Sequence, residues 1–338
     1  MQQPLRNAIE VTTNEFGQFD VVSDDSDHHF LGSEKGKCFT DSKSEAYRTI
    51  MREWRILEHN LPESIYVRVY ERRIDLMRAV IVGAAGTPYH DGLFFFDILF
   101  PSDYPKHPPK LHFDSFGLQV NPNLHPSGEV CLSLLNTWYG KKREKWDPSG
   151  STMLQVLLSL QSLVLNENPY FNEPGATTLG RLINLESTSR VYNEDVFTQT
   201  CKISFHLLQD PPRNFEAFVS AHFRERASLI LAACNEYANG RVRVGYYSSD
   251  HLPPLSRVQV SRSFKKQMIE FYPLLLRAFR QNDSASLGGF VQHLELETEE
   301  SEYKSTEIIE EVVNKIVIGS LIFLICLVSY LLLKRLVF

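Results

Sequence analysis

Phe100-Pro101-Ser102-Asp103-Tyr104-Pro105-Lys106-His107-Pro108-Pro109-Lys110 interrupts the chain with proline, and Asn121-Pro122-Asn123 interrupts it again ahead of Gly128-Glu129-Val130-Cys131-Leu132. Proline at this density rules out a continuous helix or a central strand, so the regular elements are expected on either side. On the N-terminal side Ile65 to Tyr70 alternates, Leu76 to Val82 is apolar, Leu93 to Phe100 is dense in aromatics and Lys110 to Phe113 is brief. Gly83, Gly86, Pro88 and Gly92 punctuate these runs, which predicts an antiparallel meander of about four strands. Further upstream Tyr47, Ile50, Met51, Trp54, Leu57 and Leu61 recur at helical spacing, and Pro62 follows where a helix can stop. On the C-terminal side Thr152 to Leu165 is apolar on most sides, as a helix buried against the sheet would be. The class is α+β.

The rest of the chain divides by composition. Residues 1–45 hold nine acids against four bases and show no sustained apolar periodicity, which predicts a flexible acidic leader before a core at 46–175. Val191 to Leu208, Phe215 to Tyr237 and Phe264 to Phe279 read as helices of an extension covering 176–290, the first two split by Asp210-Pro211-Pro212. An acidic linker follows at 291–315. Ile316 to Leu333 carries no charge over eighteen residues and would span about 27 Å as a helix, enough for a thin bilayer. This predicts a transmembrane helix with a short tail, 334–338. Positive-inside bias would put Lys334 and Arg335 in the cytosol, but a short tail is far easier to translocate than the folded body. The expectation is a tail anchor in the endoplasmic reticulum, ahead of the outer mitochondrial membrane, with the folded part facing the cytosol.

Overall charge is −6 and no basic stripe interleaved with aromatics occurs, so nucleic-acid binding is not indicated. Cys38, Cys131, Cys201, Cys234 and Cys326 are scattered, without CxxC spacing and without an N-terminal secretory signal. A reducing setting follows, in which a single thiol can be a nucleophile. His107, His112 and His125 are too loosely placed to suggest a metal site.

Residues 81–174 resemble the ubiquitin-conjugating enzyme core. The resemblance rests on Ile81-Val82-Gly83, Gly86-Thr87-Pro88-Tyr89, Gly92-Leu93-Phe94, the proline-rich run from Phe100, Asn121-Pro122-Asn123, Gly128-Glu129-Val130-Cys131-Leu132 and Trp146-Asp147-Pro148, in family order. It implies that Cys131 accepts ubiquitin as a thioester from an activating enzyme (E1) and yields it to a lysine of a substrate protein. ATP would be used by the E1, and no cofactor is implied here. Exchange between thioesters is nearly balanced in energy, so an accessible thiolate matters more than a dedicated histidine base. Asn123 is implied as the donor that stabilises the oxyanion, although Asn-Pro-Asn is also good turn chemistry for bracing the loop.

The chain departs from the family where Asn121 replaces the usual His of His-Pro-Asn. That residue and Trp146 are expected to organise the loop. The same variant, together with Cys131-Leu132-Ser133-Leu134-Leu135-Asn136-Thr137-Trp138, looks like the large subgroup with combined conjugating and ligase (E2/E3) ability. Residues 188–238 look like the extension of its plant members. Glu173 and Asn172 compete for the place of the acidic residue that receives a lysine's proton. Lys106 stands where an aromatic usually meets E3 ligases, and with Pro148 it is a candidate partner contact. The basic run Lys141, Lys142, Arg143 and Lys145 is solvated or docks an acidic partner. Competing functions are conjugation of another ubiquitin-like modifier and an inert binding module at a membrane.

Overall fold

The computed structural model describes residues 13, 16–33, 36–173, 186–248, 258–282, 285–292 and 294. All belong to one compact unit, Met1–Leu294. Most of the acidic linker, the apolar run 316–333 and the tail 334–338 lie outside the described residues. Among the described residues no helix is long and apolar enough to cross a membrane.

The regular elements are β1 (Phe19–Val22), α1 (Glu45–Asn60), β2 (Ile65–Tyr70), β3 (Leu76–Val82), β4 (Leu93–Leu99), β5 (Lys110–Phe113), α2 (Met153–Ser159), α3 (Glu186–Gln209), α4 (Glu216–Ala238) and α5 (Arg262–Gln281). β2 to β5 form the expected antiparallel meander. Residues on both faces of β3 and β4 are buried, because helices and loops cover the sheet on either side. α1 starts where the Ser44 hydroxyl accepts from the Tyr47 amide, and it buries Ala46, Thr49, Ile50, Glu53 and Leu57 along one stripe.

Two expectations are corrected. The first concerns residues 1–45, whose described part is built into the fold: β1 adds a fifth strand, parallel to β2 with Phe19 opposite Val67. Four residues are too few to show periodicity. What holds the segment is charge. Asp20, Arg68, Arg78, Asp97 and His112 lie side by side across the five strands, and Arg68, Arg78 and Asp97 are buried. Arg78 donates two bonds to Asp97, 2.6 and 2.9 Å, and two to the carboxylate of Asp27, 2.8 and 2.9 Å. The His29 amide also donates to Asp97, and the His29 ring stacks on His112 at 3.5 Å. Arg68, beside Arg78 on the sheet, lies over the Phe16 ring at 4.0 Å and donates to the Gly17 carbonyl.

The second correction concerns Thr152 to Leu165, which is not one uniform buried helix. A Thr152–Gln155 capping box opens α2, and the chain then widens into a π-helical turn at Leu160–Val164, with Leu158 and Leu163 exposed.

α3 and α5 occupy the predicted helical segments with slightly wider limits, α4 is shifted by one residue, and α5 packs on both α3 and α4. The extension closes onto the sheet through aromatic rings. Phe215 is fully buried, its ring 5.1 Å from Phe95, and Phe218 lies 4.3 Å from Tyr66. Polar groups complete the join. The Tyr237 hydroxyl meets His90 Nε2 at 3.0 Å, His222 Nε2 donates to the Asp91 carbonyl, and the Arg213 amide donates to Asp27.

Burial alone would raise the carboxyl pKa of Asp97, but the bonds and charge of Arg78 outweigh it and hold the group below the usual carboxylate range. A carboxylate with a depressed folded pKa gives stability that is full above its unfolded pKa of about 4 and is lost as pH falls through the folded value. Asp97→Asn should therefore flatten the acid limb of the stability curve. At pH 7 it should cost about 3–5 kcal/mol, because Arg78 loses a buried partner. Urea unfolding from pH 7 to pH 2 tests this, and parallel curves for variant and parent would refute the assignment.

Candidate active site

The chain after β5 doubles back on itself. The Leu124 amide donates to the Asn121 carbonyl, Leu124 bridges Val130, and the Cys131 amide donates to the Asn123 carbonyl at 2.9 Å. Between these arms the Gly128 amide donates to the His125 carbonyl, and the His125 amide to the Glu129 carbonyl. Gly128 has φ +87°, and a Cβ there would sit 2.0 Å from the His112 ring, so only glycine fits this close turn. The result is a short hairpin in which Asn123 faces Cys131 and His125 faces Glu129. Side chains alternate along such arms. Leu124 and Val130 point to the buried side, while Asn123, His125, Glu129 and Cys131 share the other.

Cys131 is 5% exposed. Burial pushes its thiol pKa up, and the Glu129 carboxylate adds to the effect. The sequence predicts an accessible thiolate; the structure has a shielded thiol. His125 Nε2 lies 3.5 Å from Cys131 Sγ. This neighbour was missed because sequence spacing alone was used to judge the histidines. The hairpin register places it, since His125 is diagonal to Cys131 across the two arms. Other thiols are less placed for chemistry: Cys201 and Cys234 are buried together, sulfurs 4.0 Å apart, and Cys38 donates to the Ser102 carbonyl.

Asn123 donates through Nδ2 to the Cys131 carbonyl at 2.8 Å, and its own amide donates to Asn121 Oδ1 at 2.9 Å. Its side chain thus braces the loop in this state. Asn121 is wholly buried and donates from Nδ2 to the Tyr89 hydroxyl, 2.8 Å, and to the Val164 carbonyl, 2.7 Å. Val164 ends the π-helical turn, whose wider winding leaves that carbonyl free to accept from the loop. Tyr89 in turn donates to the Val120 carbonyl. Asn172 joins the same network, donating to Val164 and Asn121 and accepting from Asn166 at 2.8 Å. Glu173 is exposed. It lies near enough to Tyr192 to add to the burial that pushes that phenol up to about 12.

Trp146 donates from Nε1 to the Pro105 carbonyl at 2.7 Å, and its ring packs on Tyr104. Tyr104 donates to the buried Glu53, whose other oxygen accepts from the Met153 amide at the start of α2. The proline-rich run is therefore pinned to α1 and α2, and it presents Lys106 to solvent. Pro148 is also exposed, as are Lys141, Lys142, Arg143 and Lys145.

A meander flanked by helices and a proline-rich crossover together hold one cysteine in an Asn-braced hairpin. The family model described as "Ubiquitin-conjugating enzyme" matches residues 49–199. The chain is 51% identical to the "Probable ubiquitin-conjugating enzyme E2 24" of Arabidopsis thaliana, over 79% of this chain and 29% of that protein. It is 45% identical to the "Putative ubiquitin-conjugating enzyme E2 39" of Arabidopsis thaliana, over 81% of this chain and 86% of that protein. A "Dual E2 ubiquitin-conjugating enzyme/E3 ubiquitin-protein ligase" of Homo sapiens is 36% identical over 72% of this chain and 5% of its own length. The chain belongs to the ubiquitin-conjugating enzyme family. It spans 29% to 43% of the length of three Arabidopsis relatives, the one of 51% identity among them.

Asn121→Ala should strip the acceptor from the Asn123 amide and a donor from the Tyr89 hydroxyl and the Val164 carbonyl. Orphaned buried groups cost roughly 1–3 kcal/mol each, so a loss of about 2–4 kcal/mol is expected. Chemical denaturation measures it, and a loss under about 0.5 kcal/mol would remove Asn121 from the loop's support.

Proposed function

We propose that the chain accepts ubiquitin from an E1 as a thioester on Cys131 and passes it to lysines of substrate proteins. The observation that carries this reading is the two-way clamp between Asn123 and Cys131, which fixes one cysteine in a family-matched hairpin. In the charging step the thiol of Cys131 replaces the E1 sulfur on the C-terminal carbonyl carbon of ubiquitin. In the discharge step an amine replaces Cys131. Negative charge then develops on the carbonyl oxygen, and Asn123 Nδ2 is the amide donor beside the sulfur's own backbone. That donor leaves the Cys131 carbonyl to serve the oxyanion, for which a rate contribution of about 10²–10³ is typical. Exposed Glu173 receives the lysine's proton, and Asn172, a neutral amide competing for the same place, orients the amine by a hydrogen bond without taking its proton.

Ligase-independent transfer is part of the proposal. Lys106 presents an ammonium where an apolar ligase pocket would have to desolvate it, and the Homo sapiens relative is named for both activities. The run 316–333 is proposed to cross a membrane on composition alone. Carbonate extraction of membranes should leave the full chain in the pellet, and release into the supernatant would discard the span.

Incubation with E1, ATP and ubiquitin, without any ligase, tests the central reading. Wild type should give an adduct of one ubiquitin mass that reductant removes. Cys131→Ala should give none, and Cys131→Ser an adduct that survives reductant. Normal charging of Cys131→Ala would move the thioester elsewhere, and charging only by another ubiquitin-like protein would change the modifier.

A further inference from the structure

A thiol that is buried and faces a carboxylate is a poor nucleophile unless something takes its proton. Cys131 is in that position: 5% exposed, with its pKa raised by burial and by Glu129. The group at its sulfur is the imidazole of His125, Nε2 to Sγ 3.5 Å. The backbone fixes both ends of this contact. The His125 amide and carbonyl are bound by Glu129 and Gly128, and the Cys131 amide by Asn123. The ring therefore reaches the sulfur from a rigid hairpin arm and not from a free loop.

We propose that His125 is a catalytic residue, the base that takes the proton of Cys131 when the enzyme is charged. The inference rests on the reading of Cys131 as the thioester carrier. With the ring proton on Nδ1, Nε2 is an acceptor. The Sγ–H bond breaks and its proton moves to Nε2. Sγ then bonds to the carbonyl carbon of the ubiquitin C-terminus as the bond from that carbon to the E1 sulfur breaks. The departing E1 thiolate takes the proton back from the imidazolium. Nothing is oxidised or reduced, and no further reactant enters. Glu129, on the facing arm, disfavours the bare thiolate, so the sulfur's proton is best removed as the new bond forms. From outside the hairpin His112 on β5 bridges Glu129 and stacks on His29.

The test uses the full chain with His125→Gln and His125→Ala. Alkylation of Cys131 by iodoacetamide, followed by peptide mass mapping, reads the thiol without ubiquitin. Wild type should show a step at lower pH in addition to the thiol step. Both variants should lose the first step, react about tenfold slower at pH 7 and approach wild type above about pH 9. Their charging rate at pH 7 should fall about ten- to a hundredfold, and added imidazole should restore part of it in His125→Ala. Alkylation profiles like wild type with charging within twofold would overturn the proposal. If wild type reacts normally with iodoacetamide but never charges, the thioester reading fails and the alkylation profiles still decide the role of His125. Should both variants unfold, a wild-type profile with a single thiol step would overturn it as well.

Discussion

Arg78 on β3 is the point on which the most distant parts of the chain converge. Its guanidinium is buried under the segment that precedes α1, between Asp97 of the next strand and Asp27 of that segment. A buried cation without partners costs several kcal/mol, so the two carboxylates are conditions for the sheet to close. Asp27 then does a second job, because its carboxylate also accepts from the Arg213 amide at the turn into α4. One acid on a short segment thus joins strand, N-terminal arm and helical extension. Nearby, Asn214 donates to the Asp24 carbonyl, which repeats the connection a turn away.

This arrangement explains what was legible and what was not. The meander and every long helix show in the sequence because apolar periodicity reports burial against a neighbour, and β2 to β5 and α3 to α5 each have such neighbours. The N-terminal arm is held by a four-residue strand pairing and by ionic and aromatic contacts, some to residues more than 200 positions away, which no local pattern carries. Its acids Asp20 and Asp27 read as solvating charge when they stand beside the buried cations Arg68 and Arg78. The π-helical turn was hidden for a related reason: Leu160 to Val164 has good helix composition, and its widening answers to acceptors needed by the loop above it.

At the site, residue identity was easier to read than environment. Cys131, Asn123 and Asn121 follow from motif order, and the structure joins all three through the hairpin. Exposure of the thiol did not follow. Turn-rich sequence suggests open backbone, yet the turn at Gly128 packs so closely on His112 that the arms are pulled against β5. A sulfur shielded in this way loses thiolate character, and the same close hairpin brings a histidine ring to it. Closeness creates the difficulty and supplies its remedy in one stroke.

Asn121 makes chemical sense of the departure from His-Pro-Asn. Its pocket contains three demands: the Tyr89 hydroxyl and the Val164 carbonyl each need a donor, and the Asn123 amide needs an acceptor. A primary amide has two N–H groups on one nitrogen and a carbonyl oxygen beside it, which meets all three without charge. A neutral imidazole has one donor and one acceptor, and an imidazolium has two donors and no acceptor, so in this pocket either form would leave one buried group unmet. The Tyr89 hydroxyl already spends its own hydrogen on Val120 and can only accept from position 121. Asn172 adds a further donor to Asn121 Oδ1 and to Val164, closing the network from the far side of the π-helical turn. With the turn, the tyrosine and Asn172 in place, asparagine is the side chain whose hydrogen-bonding capacity matches what the loop requires.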